Sequence, residues 1–300
     1  MNLSRYQVII NGSRKLSHDM DSFLRILQDH LGQDKVAICF TQRTKHAIEI
    51  ANDVVIHCDA IICIGGDGTF HEVVNGVMLS SKPSTPILCI PAGTGNDFCK
   101  AQNYIFNPER ILRALENPQI ICMDVMEILM GTSKKYCANV CDIGLGGYTT
   151  NVLNRLRSQG FKVGLSYKIA SVIGLLQYKP QKIQIQIDDC EVYTDRILML
   201  AVCNSSTFGN GYVIHPGADP RDAKLGVVIF KKVTIMDYLK QYKKLKMGQF
   251  IQHPQVKYVD CKSISIESNE SLPFEIDGEF LLITKFVIQI IPSKLHIIDY

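Results

Sequence analysis

The first hundred residues alternate short apolar runs with segments whose apolar side chains recur at helical spacing. The apolar runs predict four buried strands, at residues 6–10, 36–40, 60–64 and 86–91. Helical spacing is clear over residues 17–31 and 45–54. Because strands alternate with helices, this half of the chain is predicted to be an α/β domain with a parallel sheet.

The pattern changes near Met123, and strands dominate from there. They are predicted at 125–130, 182–187, 196–203, 225–230, 263–267 and 286–291. Two helical patterns interrupt them, one over about 148–177 with a break at Gly160 or Gly164, the other over 235–247. We therefore predict a second domain that is mostly β, a sandwich or flattened barrel with inserted helices.

A glycine-rich loop follows the third predicted strand, with the sequence Gly65-Gly66-Asp67-Gly68-Thr69. Its glycines permit close backbone approach. Thr69, with Glu72 three residues later, has the spacing of a capping box at a helix start. Such a loop directs N–H groups at one point where a phosphate can bind, and Asp67 adds a carboxylate suited to Mg²⁺ or to a proton. The alternative is a tight turn with an incidental aspartate.

Four polar loops follow strands in this half, and all four should open on one edge of the sheet. They cover residues 11–15, 41–45, 65–69 and 92–97. Because ligands of open α/β sheets bind beyond the carboxyl ends of the strands, this edge is the predicted binding site.

Composition narrows the functional classes. The chain has 300 residues, 46% of them hydrophobic, and a net charge of +3, which is too small to indicate nucleic acid binding. No apolar run reaches the ~18 residues of a membrane span, and residues 1–7 lack a signal-peptide core. We therefore expect a cytoplasmic protein without a transmembrane segment, whose membrane contact is peripheral and transient.

The eleven cysteines include no C-x-x-C pair, so a structural zinc site is not expected. Several lie in apolar runs and are predicted to be buried thiols in a reducing cytosol. These are Cys39, Cys63, Cys89, Cys122 and Cys203.

Further motifs accompany the first glycine-rich loop. They are Pro91-Ala92-Gly93-Thr94-Gly95-Asn96-Asp97-Phe98, Asp142-Ile143-Gly144-Leu145-Gly146, Asn204, Phe208-Gly209-Asn210-Gly211, Pro216-Gly217-Ala218 and Asp277-Gly278-Glu279. In this order, and over almost the whole chain, the set resembles the catalytic-domain family of diacylglycerol kinases, in particular the soluble bacterial lipid kinases. Sphingosine and ceramide kinases are related to that family.

The resemblance implies a fold of the NAD-kinase and phosphofructokinase kind with two domains. Residues 1–124 would form the ATP-binding α/β domain, to which about 293–300 return, and residues 125–292 the β-rich lipid-substrate domain. The active site would lie in the cleft between them, with ATP and Mg²⁺ as cofactors. The expected ATP-contacting residues are Asn11, Thr41, Gly65, Gly66, Asp67, Gly68, Thr69, Glu72, Gly93, Thr94 and Asn96.

Three carboxylates are the predicted catalytic residues. Asp67 and Asp97 lie on neighbouring loops and suit a Mg²⁺ ion held through water. Glu279 matches the family's Asp-Gly-Glu turn and is the predicted general base for the lipid hydroxyl, with Asp67 as the alternative. Since Asp-Gly is also a strong hairpin signal, we expect a turn that presents a carboxylate.

Several family members bind a second, structural Mg²⁺ at a turn after the Pro-x-Ala motif. By match to that turn, Asp222 would supply a carboxylate, and Asp219 and Lys224 would supply backbone oxygens. Arg221 and Ala223 replace an acidic residue and a glycine there, so a polar loop without metal is the alternative.

Three basic features have two interpretations each. The loops 11–15 and 45–47 carry lysine where relatives have glycine, which adds charge attractive to triphosphate but hinders close backbone approach at residue 15. The basic run Lys240–Lys246 is either a solvated helix face or a contact for anionic lipid.

The leading functional hypothesis is an ATP- and Mg²⁺-dependent lipid kinase that converts diacylglycerol to phosphatidic acid. The first alternative is a sphingoid base or another lipid alcohol as acceptor. A NAD kinase shares the first loop, and a catalytically silent nucleotide- or lipid-binding regulator is the alternative outside the enzymes. A homodimer stays open beside a monomer.

Overall fold

The computed structural model describes residues 3–13, 16–160, 163–190 and 192–300. The chain forms two compact units. The N-terminal unit comprises Met1–Met123 with Ser293–Tyr300, and the C-terminal unit comprises Asp124–Pro292. In the described part of the chain, no helix has both the length and the hydropathy needed to cross a bilayer.

The N-terminal unit alternates strands and helices, as the apolar pattern predicts. Its elements are β1 (Tyr6–Ile10), α1 (His18–Leu31), a 3-10 turn (Gln33–Lys35), β2 (Val36–Phe40), α2 (His46–Val54), β3 (Ala60–Gly65), α3 (Asp67–Met78), β4 (Ile87–Pro91), α4 (Asp97–Ala101) and α5 (Pro108–Glu116). The strands pair in parallel in the order β2-β1-β3-β4. Near the C-terminus, Ile297 pairs in parallel with Ile87 of β4. The predicted α/β fold with a parallel sheet is confirmed.

Local sequence explains why the helices begin and pack as they do. Ser17 caps α1 by accepting a hydrogen bond from the backbone N–H of Met20, and the buried face of α1 carries Phe23, Leu24 and Leu27. Gly76 lets α3 approach α2 closely, because a Cβ there would lie 2.5 Å from the carbonyl oxygen of Ile48. The helices therefore hold the strand ends in a fixed arrangement.

The C-terminal unit is mostly β. Its elements, beginning with a strand that starts in the last residues of the other unit, are β5 (Ile120–Met130), β6 (Ser133–Cys137), β7 (Val140–Gly144), α6 (Leu145–Ser158), α7 (Val163–Gln177), β8 (Gln181–Ile187), β9 (Tyr193–Ile197), β10 (Met199–Cys203), β11 (Thr207–Phe208), β12 (Tyr212–Val213), β13 (Leu225–Phe230), α8 (Ile235–Lys246), β14 (Val256–Cys261), β15 (Ser263–Ile276) and β16 (Glu279–Ile298). The interruption predicted within the long helical pattern separates α6 from α7 and includes Gly160, whose φ is 86°. Residues 161–162 lie outside the described residues.

Strand β15 organises this unit, because its two halves pair with different neighbours. Its first half pairs with β8, and its second half pairs with β7, while β16 accompanies both halves. A register shift between Glu267 and Leu272 separates the halves. Side chains of the strands that pair with each half of β15 pack into one common core, which includes Ile185, Val202 and Phe274. The predicted sandwich-like β domain is therefore confirmed.

Two details of the sequence prediction are wrong. The single strand expected at 196–203 is two strands, β9 and β10, which are separated at Leu198. Cys122 is exposed and Cys39 half-buried, whereas the other three cysteines named above are buried. Side chains alternate along β5, and Met123 rather than Cys122 is the buried neighbour.

Candidate active site

Four loops of the N-terminal unit lie side by side at the carboxyl edge of its sheet, as predicted. Backbone hydrogen bonds continue past the strand ends and align the loops. These bonds run from Asn11 N to Ile64 O (3.1 Å), from Thr41 N to Ile10 O (2.8 Å) and from Ala92 N to Gly65 O (2.8 Å). Within this unit the structure therefore brings the predicted ATP-contacting residues to one edge.

The two glycine-rich loops touch through their backbones. A Cβ on Gly93 would lie 2.4 Å from the Cα of Gly66 and 2.8 Å from Asn96 Oδ1. Asn96 has a left-handed φ of 53° and makes two bonds to Gly93, accepting from its N–H at 2.9 Å and donating to its carbonyl at 3.0 Å. Glycine at 66 and 93 is thus required by close approach rather than by flexibility. Thr94 is exposed in the same loop.

The predicted capping box at Thr69 and Glu72 is wrong. Helix α3 begins three residues earlier than the box requires, with Gly66 rather than Thr69 as its N-cap. Thr69 Oγ1 instead accepts a hydrogen bond from Asn11 Nδ2 at 3.0 Å, which ties the first loop to the third. Glu72 accepts from the backbone N–H groups of Lys45 (2.8 Å) and Ala47 (3.1 Å). Its carboxylate therefore caps the start of α2 and ties it to α3.

Asp67 and Asp97 converge on one small space. Asp67 Oδ1 accepts the backbone N–H of Asp97 at 2.5 Å. A Cβ on Gly95 would lie 2.4 Å from Asp67 Oδ2 and 3.8 Å from Asp97 Oδ2, so both carboxylates border the point that glycine leaves open. Carboxylate oxygens are the hard ligands that Mg²⁺ prefers, so Asp67 and Asp97 are the residues that would hold that ion.

We expect Gly93→Ala to destabilise the fold, by about 1–3 kcal/mol as overpacking does, because the added methyl meets backbone atoms that cannot rotate away. Gly68→Ala is the matched control. Its Cβ has no neighbour within 4 Å, and a helical alanine gains up to about 1 kcal/mol over glycine. Chemical denaturation measures both. Equal stability of the two variants would contradict the backbone contact.

The predicted hairpin turn at Asp277-Gly278 is confirmed. Ile276 pairs with Glu279 across a two-residue turn, and both turn residues have positive φ, 46° for Asp277 and 93° for Gly278. The Asp277 carboxylate accepts the backbone N–H groups of Ala138 and Val140, each at 3.3 Å. The turn is thereby fixed to the β6–β7 connection, and Glu279 begins β16 at a defined position.

Glu279 forms an ion pair that the sequence did not predict. Its Oε2 lies 2.7 Å from Nζ of Lys135 on β6, and both side chains are about one quarter exposed, 23% and 28%. The C-terminal unit thus presents Glu279 as a partly exposed carboxylate beside an ammonium group.

A buried carboxyl pair lies behind this turn. Asp142 on β7 and Glu275 on β15 are directly opposite in the sheet register, and only 2% and 8% of them is exposed. Burial raises the pKa of Asp142 to about 7. Burial and the Asp142 charge raise the pKa of Glu275 well above its ordinary value. Glu275 also accepts the backbone N–H of Gly278, so the pair supports the turn before Glu279.

We predict that stability falls as pH rises from about 4 to 7, by up to about 1.4 kcal/mol per pH unit for each carboxyl. The folded-state pKa values of Asp142 and Glu275 lie above their unfolded values, so the folded state binds more protons in this range. Asp142→Asn should lose much of the slope and be the more stable protein at pH 8. The exposed turn residue Asp189 supplies the control, Asp189→Asn, which removes a carboxylate and leaves the buried pair in place. Denaturant titrations across pH measure this.

Asp219, Asp222 and Lys224 lie on the predicted metal turn of the C-terminal unit. Arg221 Nε contacts Asp219 Oδ1 at 3.2 Å, and Asp222 Oδ1 accepts the N–H of Lys224 at 3.0 Å. Ala223 has a left-handed φ of 59°, and its N–H donates to Asp124 Oδ2 at 2.7 Å. Among the described residues, no group of three His, Cys, Asp or Glu side chains gathers around a metal-sized space. Internal hydrogen bonds therefore hold this turn, and its metal stays a prediction.

Comparison with known proteins matches each of the two units to a domain family. The diacylglycerol kinase catalytic domain matches residues 5–128, and the YegS C-terminal NAD kinase beta sandwich-like domain matches residues 139–299. The second match alone spans more than half of the chain.

Named relatives and solved structures agree with these matches. The chain is 28% identical over 269 residues to candidate lipid kinases of Staphylococcus aureus strains JH9 and Newman, covering 88% of this chain and 83% of each relative. Its fold is similar to a diacylglycerol kinase from Bacillus anthracis str. Sterne (TM-score 0.70, 19% identity, 100% of this chain and 98% of that one). A candidate diacylglycerol kinase from the same organism gives a TM-score of 0.75 at 21% identity, covering 100% and 99%. The chain belongs to the diacylglycerol kinase catalytic-domain family and is a lipid kinase.

Proposed function

We propose that this lipid kinase transfers the γ-phosphoryl group of ATP, with Mg²⁺, to the hydroxyl of diacylglycerol and forms phosphatidic acid. The observation that carries the proposal is the convergence of Asp67 and Asp97 on the gap beside Gly95, next to two glycine-rich loops. Phosphoryl transfer depends on positioning and charge neutralisation, and this loop edge offers both.

The N-terminal unit would bind the nucleotide. Helix α3 begins directly after Gly66, so its first N–H groups and its positive dipole end face the loop edge, where phosphate oxygens can accept hydrogen bonds. Asp67 and Asp97 would hold Mg²⁺, which supplies neutralisation of the phosphate charge when bound. Glu72 and Asn11 would act by fixing the neighbouring loops.

The C-terminal unit would supply the base. The lipid hydroxyl oxygen attacks the γ-phosphorus, the bond from that phosphorus to the ADP oxygen breaks, and the hydroxyl proton passes to Glu279. Lys135, 2.7 Å from Glu279, orients the carboxylate before it accepts the proton. The hydrogen bonds that Asp277 and Glu275 accept in the turn hold Glu279 in position and take no part in the proton transfer.

Radiolabelled ATP with Mg²⁺ and a panel of detergent-dispersed diacylglycerol, sphingosine and NAD tests the proposal. Labelled phosphatidic acid supports it. If sphingosine becomes labelled and diacylglycerol does not, the acceptor is a sphingoid base and not diacylglycerol. Labelled NADP, or nucleotide binding with no product on any acceptor, would overturn it.

A further inference from the structure

The outer face of helix α8 in the C-terminal unit combines exposed apolar and basic side chains. Met236, Leu239 and Met247 are 62%, 60% and 68% exposed. At 100° per residue, Lys240 and Lys243 lie on the same face as these three side chains, and both are exposed. Single exposed apolar residues are ordinary, but two on one helix face with a third, Met247, at the C-cap call for a partner.

The opposite face anchors the helix. Leu245 is buried in a core shared with β10 and β13, and Tyr242 packs against that core. Thr234 and Asp237 form a capping box that fixes the N-terminus of the helix. The exposed face is therefore the outside of a firmly held element.

The charge of this face is of one sign. Asp237 is the only acidic residue of α8, and it is occupied with the cap and with His253. Within residues 3–13, 16–160, 163–190 and 192–300, neither Lys240 nor Lys243 has a carboxylate at ion-pair distance, although Asp237 acts on Lys240 from farther away.

We propose that the α8 face, Met236, Leu239, Lys240, Lys243 and Met247, docks this chain on a bilayer that contains anionic lipid. The three apolar side chains would enter the headgroup–acyl boundary, and the lysines would extend to phosphate groups around them. The basic side chains of α8 outnumber its single carboxylate, Asp237, and this excess of positive charge complements an anionic surface rather than a neutral one. The inference rests on the proposed function, since a lipid kinase meets its acceptor at a membrane.

Sedimentation with phosphatidylcholine vesicles, with and without phosphatidylglycerol, tests the full chain. We expect binding only with the anionic lipid, weakened by salt. Lys240→Gln with Lys243→Gln should lower the vesicle partition coefficient about 25-fold, since each surface lysine contributes about 5-fold. Met236→Ser with Leu239→Ser should lower it about 10-fold or more. Lys257→Gln with Lys262→Gln, and Ile56→Ser, are matched controls from exposed positions elsewhere and should bind as the unaltered chain does.

A second readout separates this inference from the proposed kinase reaction. Turnover of a short-chain diacylglycerol that is monomeric in water should be unchanged in the α8 variants, while turnover on anionic vesicles falls with binding. α8-dependent vesicle binding without any diacylglycerol turnover would support the surface and overturn only the reaction. Binding that ignores salt, lipid charge and the α8 variants would overturn the surface. A dimer in sedimentation velocity that the same variants dissociate would also overturn it, because the face would then join two copies.

Discussion

Glu279→Gln is expected to lower the turnover number on diacylglycerol by about 10²–10⁴-fold, the contribution of a positioned general base. Glutamine keeps the shape of the side chain and the start of β16, but it cannot accept the hydroxyl proton. The Asp277-Gly278 turn is held by bonds that do not involve residue 279, so its geometry should persist. Steady-state kinetics with saturating ATP and Mg²⁺ measure the change.

Glu267→Gln supplies the control for that variant. Glu267 also lies on the β15–β16 hairpin and pairs with a lysine, Lys285, at 2.7 Å, but both side chains of this pair are at least half exposed. Its loss should leave turnover unchanged and alter stability by at most about 1 kcal/mol. Near-normal, Mg²⁺-dependent turnover of Glu279→Gln would contradict the assignment and transfer the base to Asp67.

The loop edge could be predicted from sequence because its signals are local. Each loop follows an apolar strand directly, and parallel strands bring their carboxyl ends together. The same locality made the Asp277-Gly278 hairpin predictable. The prediction of a capping box was wrong, because residues distant in the chain bind its two side chains. Asn11 donates to Thr69, and the backbone at the start of α2 donates to Glu72.

The surroundings of Glu279 could not be predicted, because they depend on strand register. Lys135 is one of two consecutive lysines on β6, and nothing in its neighbours marks it as the partner of a residue 144 positions later. Asp142 and Glu275 meet only because β7 and β15 are adjacent with that register. Sequence patterns give the face of a strand but not its neighbour, so cross-strand chemistry appears only in the fold.

Asp67→Asn is expected to raise the Mg²⁺ concentration needed for half-maximal rate and to lower turnover by about 10²-fold or more, since a metal at the transferring group contributes several kcal/mol. Asparagine keeps an oxygen that can accept the Asp97 N–H, so the loop should hold its shape. The substitution removes one of the two carboxylate charges beside Gly95 and leaves that of Asp97. Initial rates across Mg²⁺ and Mn²⁺ concentrations measure the effect.

The exposed residue Asp53 on α2 supplies the control, Asp53→Asn, with an unchanged Mg²⁺ curve. The two large effects then separate by their metal dependence. If Asp67 organises the metal, excess Mg²⁺ recovers part of the rate of Asp67→Asn and none of the rate of Glu279→Gln. An Asp67→Asn variant with an unaltered Mg²⁺ curve but the same loss of rate would instead assign Asp67 the proton transfer, and the gap beside Gly95 would need another occupant.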